Sequence, residues 1–460
     1  MSISSFYGLQ TSLRGLLAQQ RMLDTAGHNI ANASTKGYSR QQVDLQAAPA
    51  LEIPAGGIVG GAGAHLGSGV DIVSYRRIRD QFVDLQYRAQ NTNLGEWAAR
   101  TKTLDRAELA LNEPGENGLN EQLARFWDAW SQLAGDAKNP ALKQNLAETA
   151  GSLTGAFNTV YDQIVLTRDQ AAAEYADLAR PASPPADPGG EVAQIAKDIA
   201  ELNDTIRRFV TGGDMPNDLL DRRDSLLDSL SEFGQISVEE QPDGMLNVSF
   251  VDKVTAGATY AVVTGATATW AGPPALNAWS PGGRLGGLLE ASRPGGTLDG
   301  YLADLDVIAG NLATVVNNAY PGDFFVTGPG PAASTIRVDP TLAGDPKLIV
   351  GGTGAEGSND VARAIAAIQN NPLSGVDPAY HAFVAKVGSD VRESIRQEGN
   401  AQVLTDAVEN RRQSVSGVSM DEEMSNLVRF QRSYQASSRA MSTMDEMLDV
   451  LINRTGRVGL

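Results

Sequence analysis

The chain has no cysteine among its 460 residues. A disulfide framework, a thiolate-held zinc or iron–sulfur site and thiol catalysis are thereby excluded. The absence names no compartment, because an exported chain can also do without cysteine. Histidine is nearly as scarce, with only His28, His65 and His381. A three-histidine metal site or a histidine-based triad would have to unite far-separated parts of the chain, and nothing in the pattern suggests that. Basic charge is short as well: 37 Lys and Arg stand against 55 Asp and Glu, a net charge of −18. The cationic footprint that nucleic acid or an anionic membrane requires is missing. No run reaches the roughly 18 uninterrupted apolar residues of a membrane span. The first residues lack the basic start and compact apolar stretch of a Sec signal, and Arg14 and Arg21 interrupt them. The default reading is cytoplasmic unless export takes another route.

At roughly 150 residues per domain the length suggests two to four domains with ample core. The charge is uneven along it. Residues 1–45 carry +2 and residues 416–460 carry −1, which leaves −19 for the stretch between. An acidic middle stays solvated and repels its copies, whereas near-neutral ends are free to pack.

Those ends carry the clearest pattern. Phe6, Leu9, Leu13, Leu16, Leu23 and Ile30, with Gln20 and Gly27, recur at alternating steps of three and four. That is a heptad seam. Asn29, Asn32 and the Ser34-Thr35-Lys36-Gly37 stretch supply the stop. At the other end one row is Met420, Leu427, Tyr434, Met441 and Leu448, and a second is Glu423, Phe430, Ser437, Met444 and Leu451. Ser419 and Glu422 form a capping box before them. Five of the nine methionines lie between 420 and 447, giving an adaptable face. Two such helices look made to pair with each other and then with neighbouring copies. Alone they bury little, so they are expected to be mostly disordered in the monomer.

The middle reads as long helices over about 80–180, interrupted at Asn112–Gly118, and again over 192–206 and 219–230. The period then changes to two around Ile236 and Val238, with Asp243-Gly244 as a hairpin signal and Leu246, Val248 and Phe250 after it. A helix resumes at Leu298. Short strands are expected near 324–326, 336–338 and 348–350, and a last long helix near 380–412. The fold class is mainly α with a β insert (α+β), a discontinuous elongated rod. Residues 1–45 plus 416–460 form a terminal coiled coil. Residues 46–234 plus 285–415 form a helical rod domain. Residues 235–284 form a small β-rich outer domain, with part of 321–376 as a candidate addition.

Chemistry is sparse. Gly352-Thr353-Gly354-Ala355-Glu356-Gly357 matches a dinucleotide-binding turn in spacing, but no second strand follows to complete a βαβ unit. A glycine-rich turn capped by Ser358 or Asn359 is the better reading. The glycine run 56–69 lacks the lysine and following helix of a phosphate loop and reads as flexible or turn-rich. Asp218, Asp221, Asp224 and Asp228 crowd one helix with Arg222 and Arg223, which reads as a solvated, salt-bridged face. No catalytic, cofactor-binding or metal-ligating set emerges, and the chain is not expected to be an enzyme.

One segment points further. Asn29-Ile30-Ala31-Asn32-Ala33-Ser34-Thr35-Lys36-Gly37-Tyr38-Ser39-Arg40-Gln41 resembles the signature after the first helix of bacterial flagellar axial proteins. Its Gly-Tyr-Ser-Arg-Gln ending is more typical of the first hook-associated protein family, which forms the hook–filament junction. Lys36 departs from the usual proline, which loosens the turn. Asn217–Asp224, Gly286–Glu290, and Ser414–Met424 with Arg429–Ala436 resemble further segments of that family in the same order. The resemblance implies a structural role, with the terminal helices lining an inner tube and Asn29, Asn32, Gly37 and Tyr38 as family motif residues. It implies copies of the chain itself, the hook protein and the second junction protein as partners. An export chaperone would cover the C-terminal helix. It further implies an extracellular, flagellar location reached by type III export, and no membrane or nucleic-acid partner. A rod or hook subunit, and a secreted coiled-coil binding protein or enzyme, stand as alternatives.

Overall fold

The computed structural model describes residues 6–53, 64–115, 118–255, 257–274, 279–354, 357–369 and 375–454, apart from the side chains of Ile53, Ala64, Leu451 and Arg454. Helix α1 (Tyr7–Ala31) opens it. Asn32 ends that helix, its backbone and side-chain amides both donating to His28 O. A two-stranded ribbon follows: β1 (Gln41–Ala47) pairs antiparallel with β4 (Val70–Arg77), and β2 (Leu51–Ile53) pairs with β3 (Ala64–Leu66). Next come α2 (Gln81–Leu111), α3 (Leu119–Gly135), α4 (Pro140–Leu178), α5 (Glu191–Thr211) and α6 (Asn217–Phe233). The long helices start where local chemistry predicts. Asp80 accepts from Phe82 N before α2, and Asn139 accepts from Ala141 N before α4, with Pro140 in the first turn. Helix α2 stops at Asn112, which takes the left-handed conformation.

A four-stranded antiparallel meander comes next, in the order β5 (Ile236–Glu240), β6 (Leu246–Val251), β7 (Thr259–Thr264) and β8 (Thr267–Ala268). Then follow α7 (Gly283–Ser292), α8 (Thr297–Ala319), β9 (Phe325–Val326), α9 (Ala332–Thr335), β10 (Arg337–Val338), α10 (Pro340–Gly344) and α11 (Asp360–Ala366). The chain closes with α12 (Val376–Ser416) and α13 (Met420–Asp449), the latter running into a short π-helical turn over Val450–Arg454. Ser419 caps α13, and Asp421, Glu422 and Glu423 fill its first turn, where the helix dipole favours negative charge.

Two apolar cores hold the body. The first gathers Leu104 and Leu111 of α2, Phe126, Trp127 and Trp130 of α3, the first half of α4, α8, α11, and Tyr380 to Val391 of α12. The second gathers Tyr175 of α4, Ile199 of α5, Leu230 of α6, Val248 and Phe250 of β6, Trp279 and Leu288. Glycine permits the closest approach inside the second. A Cβ at Gly95 would collide with Glu232 O of α6, and one at Gly287 with Glu96 O of α2. Neither core takes a described residue from α1, the β1–β4 ribbon or α13.

Several expectations change. The stretch 56–69, read as flexible or turn-rich, includes strand β3, and β4 follows it; both are strapped to α1: Tyr7 donates to Leu66 O at 2.9 Å, and Arg14 pairs with Asp71 at 3.2 Å. The glycine run before Ala64 lies largely outside the described residues. The boundary at 45/46 falls within β1 rather than between elements. The sheet of 236–268 has no core of its own, because its inward residues share the second core with α4–α7. β9 and β10 belong to the first core, so part of 321–376 does not join that sheet. The strand expected at 348–350 is instead the end of a 3-10 turn, Pro346–Leu348. Asp345 starts that turn by accepting from Lys347 N. Asp360, not Ser358 or Asn359, organises the glycine turn by accepting from Thr353 N at 2.9 Å, while Asn359 donates to Ala134 O. Part of that turn, Ala355 and Glu356, lies outside the described residues. The terminal helices, expected to be disordered, are formed and lie against each other.

Candidate functional site

Helices α1 and α13 run antiparallel. A Cβ at Gly8 would sit 2.8 Å from Met444 Sδ, and one at Gly15 would sit 3.6 Å from Ser437 Oγ. Ser12 Oγ donates to Met444 Sδ. Met22 and Phe430 then line one groove, and Asn29 and Glu423 sit at its far end. Every step of seven up α1 thus meets a step of about seven down α13. The row of α1 that faces α13 is Gly8, Gly15, Met22 and Asn29, not the apolar row of the sequence. Gly8 lies two positions on from Phe6, about 200° around a helix. Phe6, Leu13, Gln20 and Gly27 accordingly point outward, with Phe6 56% and Leu13 42% exposed. Leu9, Leu16, Leu23 and Ile30 lie between these rows and are half-buried. On α13, Leu427, Tyr434, Met441, Phe430 and Met444 are half-buried and Leu448 is buried, while Met420 is exposed. Leu451 offers no described side chain.

At the inner end of this pair, three separated segments meet. Asn29 is the clamp of the first. Its Nδ2 donates to Gln41 O at 2.9 Å, and its Oδ1 accepts from Gln41 N at 2.9 Å and from the Tyr38 hydroxyl at 2.8 Å. One buried amide therefore closes the loop between α1 and β1, replacing a missing backbone pairing. Tyr38 stacks on His28 with ring centres 5.6 Å apart. Burial, then the carboxylates of Asp218, Asp221 and Glu423, push its phenol well above the ordinary range, so it stays a neutral donor. Asn32 accepts from the Thr35 hydroxyl at 3.2 Å as it ends α1. Gly37 adopts φ +81, and a Cβ there would overlap Ser225 Oγ of α6. Lys36 is exposed in the turn.

The second segment is the acidic row of α6. Apart from the exposed Asp218, it is not a solvated face. Asp221 is buried and accepts from Ser39 N at 2.9 Å, while Asp218 accepts from Gln41 Nε2 at 2.8 Å. Asn217 donates to Tyr75 O at 3.0 Å. The partners of the row come from other elements, not from Arg222 and Arg223 beside it. Arg77 Nη1 bonds Asp221 and Asp224 at 2.8 Å each. Arg79 pairs with Asp84 at 2.6 Å and Asp224 at 3.0 Å, and Arg88 with Asp228 at 2.8 Å. Arg412 of α12 also reaches Asp228 and lies over the Tyr87 ring. Burial alone would raise Asp224, but Arg79, Arg77 and Arg88 outweigh it and hold the carboxyl below its ordinary value. Burial opposes the Arg79 charge, and Asp224 and Asp84 more than offset that. Arg223 turns the other way, donating to Gly244 O at 2.7 Å and Asn203 at 3.1 Å to brace the β5–β6 turn. Desolvation pushes it down to about 10.

The third segment is the α12–α13 elbow. Arg40 N donates to Ser416 O at 2.9 Å, and its guanidinium bonds Glu422 at 2.8 Å and the buried Glu423 at 2.7 Å. Among the described residues there is no group of three or more His, Asp or Glu that could hold a metal ion. What the arrangement does is join both ends of the chain to one face of one helix.

The comparisons follow the same division. Residues 104–328 match the family described as the flagellar hook-associated protein FlgK helical domain. Residues 9–38 match the flagella basal body rod protein family, and 399–454 the flagellar basal body rod FlgEFG protein C-terminal family. Flagellar hook-associated protein 1 of Bacillus subtilis (strain 168) is 29% identical over 98% of this chain and 99% of its own. The chain is similar to the FlgK family along nearly its whole length. Flagellar hook-associated protein 1 of Escherichia coli (strain K12) is 25% identical over 97% of this chain and 99% of its own. A solved flagellar hook junction protein FlgK from Burkholderia pseudomallei superposes with TM-score 0.44 at 19% identity, over 53% of this chain and 47% of that one. These relatives are flagellar structural proteins, and no catalytic family is among the matches.

The residues of this site that sequence reasoning missed are Arg77, Arg79, Asp84, Arg88 and Arg412. A signal existed in the Arg76-Arg77-Ile78-Arg79-Asp80 cluster, which is dense in basic charge for so acidic a chain. Its partners on α6 lie more than a hundred positions away, and only Asp84 stands close by in the chain.

Proposed function

We propose that the chain is a structural subunit of the bacterial flagellum that polymerises at the distal end of the hook and forms the hook–filament junction on which the filament is built. The observation that carries this reading is the outward apolar row of α1. Phe6, Leu13 and Leu17 stay exposed although α1 already has a partner in α13, and Met420, Met424 and Val428 of α13 are exposed toward the other end of the pair. A face of that kind on a helix pair calls for further helices, and copies of the same chain supply them. In this reading 1–45 and 416–460 form the coiled-coil inner tube and the acidic middle faces outward as an elongated rod. The seam residues on both helices serve assembly.

The hook protein and the second junction protein are the neighbours above and below. Export runs through the flagellar type III route to the outside of the cell. A chaperone covers the methionine-rich face of α13 until then. A rod or hook subunit shares the two terminal segments. The helical-domain match over 104–328 favours the junction instead.

Electron microscopy of cells lacking the gene tests the proposal. Finished hooks without filaments, with filament subunits lost to the medium, are expected. Absent hooks would move the chain to the rod or hook, and normal flagella would remove it from the axial structure.

A further inference from the structure

The terminal elements are attached to the body in an unusual way for two folded parts of one chain. Both apolar cores belong to the body, and α1, the ribbon and α13 contribute no described residue to either. Where the two parts meet, the contacts are polar. Ser39 N and Gln41 bond Asp221 and Asp218, Asn217 bonds Tyr75 O, and Arg77 forks between Asp221 and Asp224. A cleft of about 620 Å³ lies on one side of this joint, between the Ala33–Arg40 loop and the α12–α13 elbow. A cleft of about 1070 Å³ lies on the other, between β4 and β5. The backbone crosses the joint twice, at Arg77–Arg79 and at Ser416–Val418, and Gly417 is the only residue between α12 and α13 without a side chain.

Apolar packing holds two parts together strongly but tolerates small changes of angle. Paired charges with fixed hydrogen-bond directions do the reverse, adding little net stability and selecting one geometry. Polar joints between parts of a chain also permit relative motion once their bonds break. We infer that the acidic row of α6 is a latch. It holds the terminal helix pair at one angle to the body, and its release lets that pair swing while both parts remain folded. The clefts on either side give the swing room. The inference rests on the chain and not on its place in the flagellum, so it stands or falls apart from the proposed function.

The full chain tests it directly. Because the chain has no cysteine, spin labels can be placed on Gln10→Cys in α1 and Asp198→Cys in α5, both exposed positions. Pulsed electron paramagnetic resonance then reads the distance between terminal helices and body. The unaltered latch is expected to give one narrow distance. The paired variant Arg77→Ala with Asp221→Ala, which removes both charges together and orphans neither, is expected to broaden it. Far-ultraviolet circular dichroism should keep the same helical signal. Lys386→Ala, which breaks the body's ion pair to Asp304, should leave the distance narrow. A narrow distance in the paired variant would overturn the inference, because something else then sets the angle. Broadening with loss of helical signal would overturn it too, because the pairs would then be folding the body and not latching it.

Discussion

Gly37→Ala isolates the docking of the N-terminal motif onto α6. Gly37 sits at φ +81, a conformation that costs a residue with a Cβ about 1 kcal/mol. The new methyl group would also overlap Ser225 Oγ. That hydroxyl can rotate away, but it then gives up its bond to Asp221 O, made at 3.1 Å. A lost hydrogen bond of this kind adds about 1 kcal/mol, and residual crowding brings the total to about 2–3 kcal/mol. The effect should be local, because neither core includes this loop. The reporter is the amide of Ser39, buried two residues on and bonded to Asp221. Hydrogen exchange there should quicken roughly 30- to 150-fold, the ratio that such a free energy implies. The Ser225→Ala background separates the two causes. The new Cβ would then meet only the Cβ of residue 225 at 3.4 Å, a tight but ordinary approach. The cost should fall to the backbone share, about 1 kcal/mol. Unchanged exchange at Ser39 would refute the docking argument. Equal costs in both backgrounds would refute the steric half of it.

Other perturbations follow from the same geometry. Leu13→Asp places a charge on the outward row, so the monomer's melting temperature should hardly move while incorporation into flagella is lost; a large fall in melting temperature would mean Leu13 is core. Asn29→Ala strands the amide of Gln41 and the hydroxyl of Tyr38, and should loosen the same loop by about 1–3 kcal/mol, read again by exchange at Ser39. Trp130→Ala empties the centre of the first core, where Phe126, Tyr320 and Phe324 surround the ring, and should cost about 3–5 kcal/mol in denaturant unfolding. Asp224 titrates below its ordinary value in the fold, so the unfolded chain holds the extra proton. The stability Asp224 contributes is present in full above the ordinary carboxylate pKa of about 4 and is lost as pH falls through the folded value. The urea midpoint should therefore drop more steeply on acidification in the unaltered chain than in Asp224→Asn, and parallel curves would contradict the pairing.

The helices were legible because their signals are local. Period, caps and breakers gave the starts of α2, α3, α5 and α6 to within two residues, as at Leu119, where Gly118 and the preceding Pro114 leave few alternatives, while α5 and α6 run on past the expected 206 and 230 to Thr211 and Phe233. The β5–β6 hairpin was legible for the same reason, with Asp243-Gly244 between alternating strands. The ribbon at 64–77 was not, because glycine dominates the stretch before it and β3 has only three residues. Asp221 and Asp224 were misread as solvent-facing for a related reason. Four carboxylates on one helix look solvated unless the cations that bury them are known, and Arg77, Arg79, Arg88 and Arg412 arrive from three other parts of the chain.

The terminal seam shows a subtler limit. A heptad repeat states that one row of a helix is special without stating which contact it serves. In α1 two rows repeat every seven residues, one of small residues at Gly8 and Gly15 and one of large apolar residues at Phe6 and Leu13. Apolar size drew attention to the second, yet the intramolecular partner uses the first. The reason lies in the partner: Met444 is long and flexible, and it needs a notch, which a glycine provides and a leucine would fill. Phe6 and Leu13 stay exposed, and in the proposed assembly they would meet neighbouring copies. Leu13→Asp and a bulky Gly8→Leu should consequently fail in opposite ways. The first should spare the α1–α13 pair and block incorporation. The second should separate the pair in the monomer, seen as loss of protection along α13 in hydrogen exchange. If both variants lost the pair, the two rows would not be separate contacts.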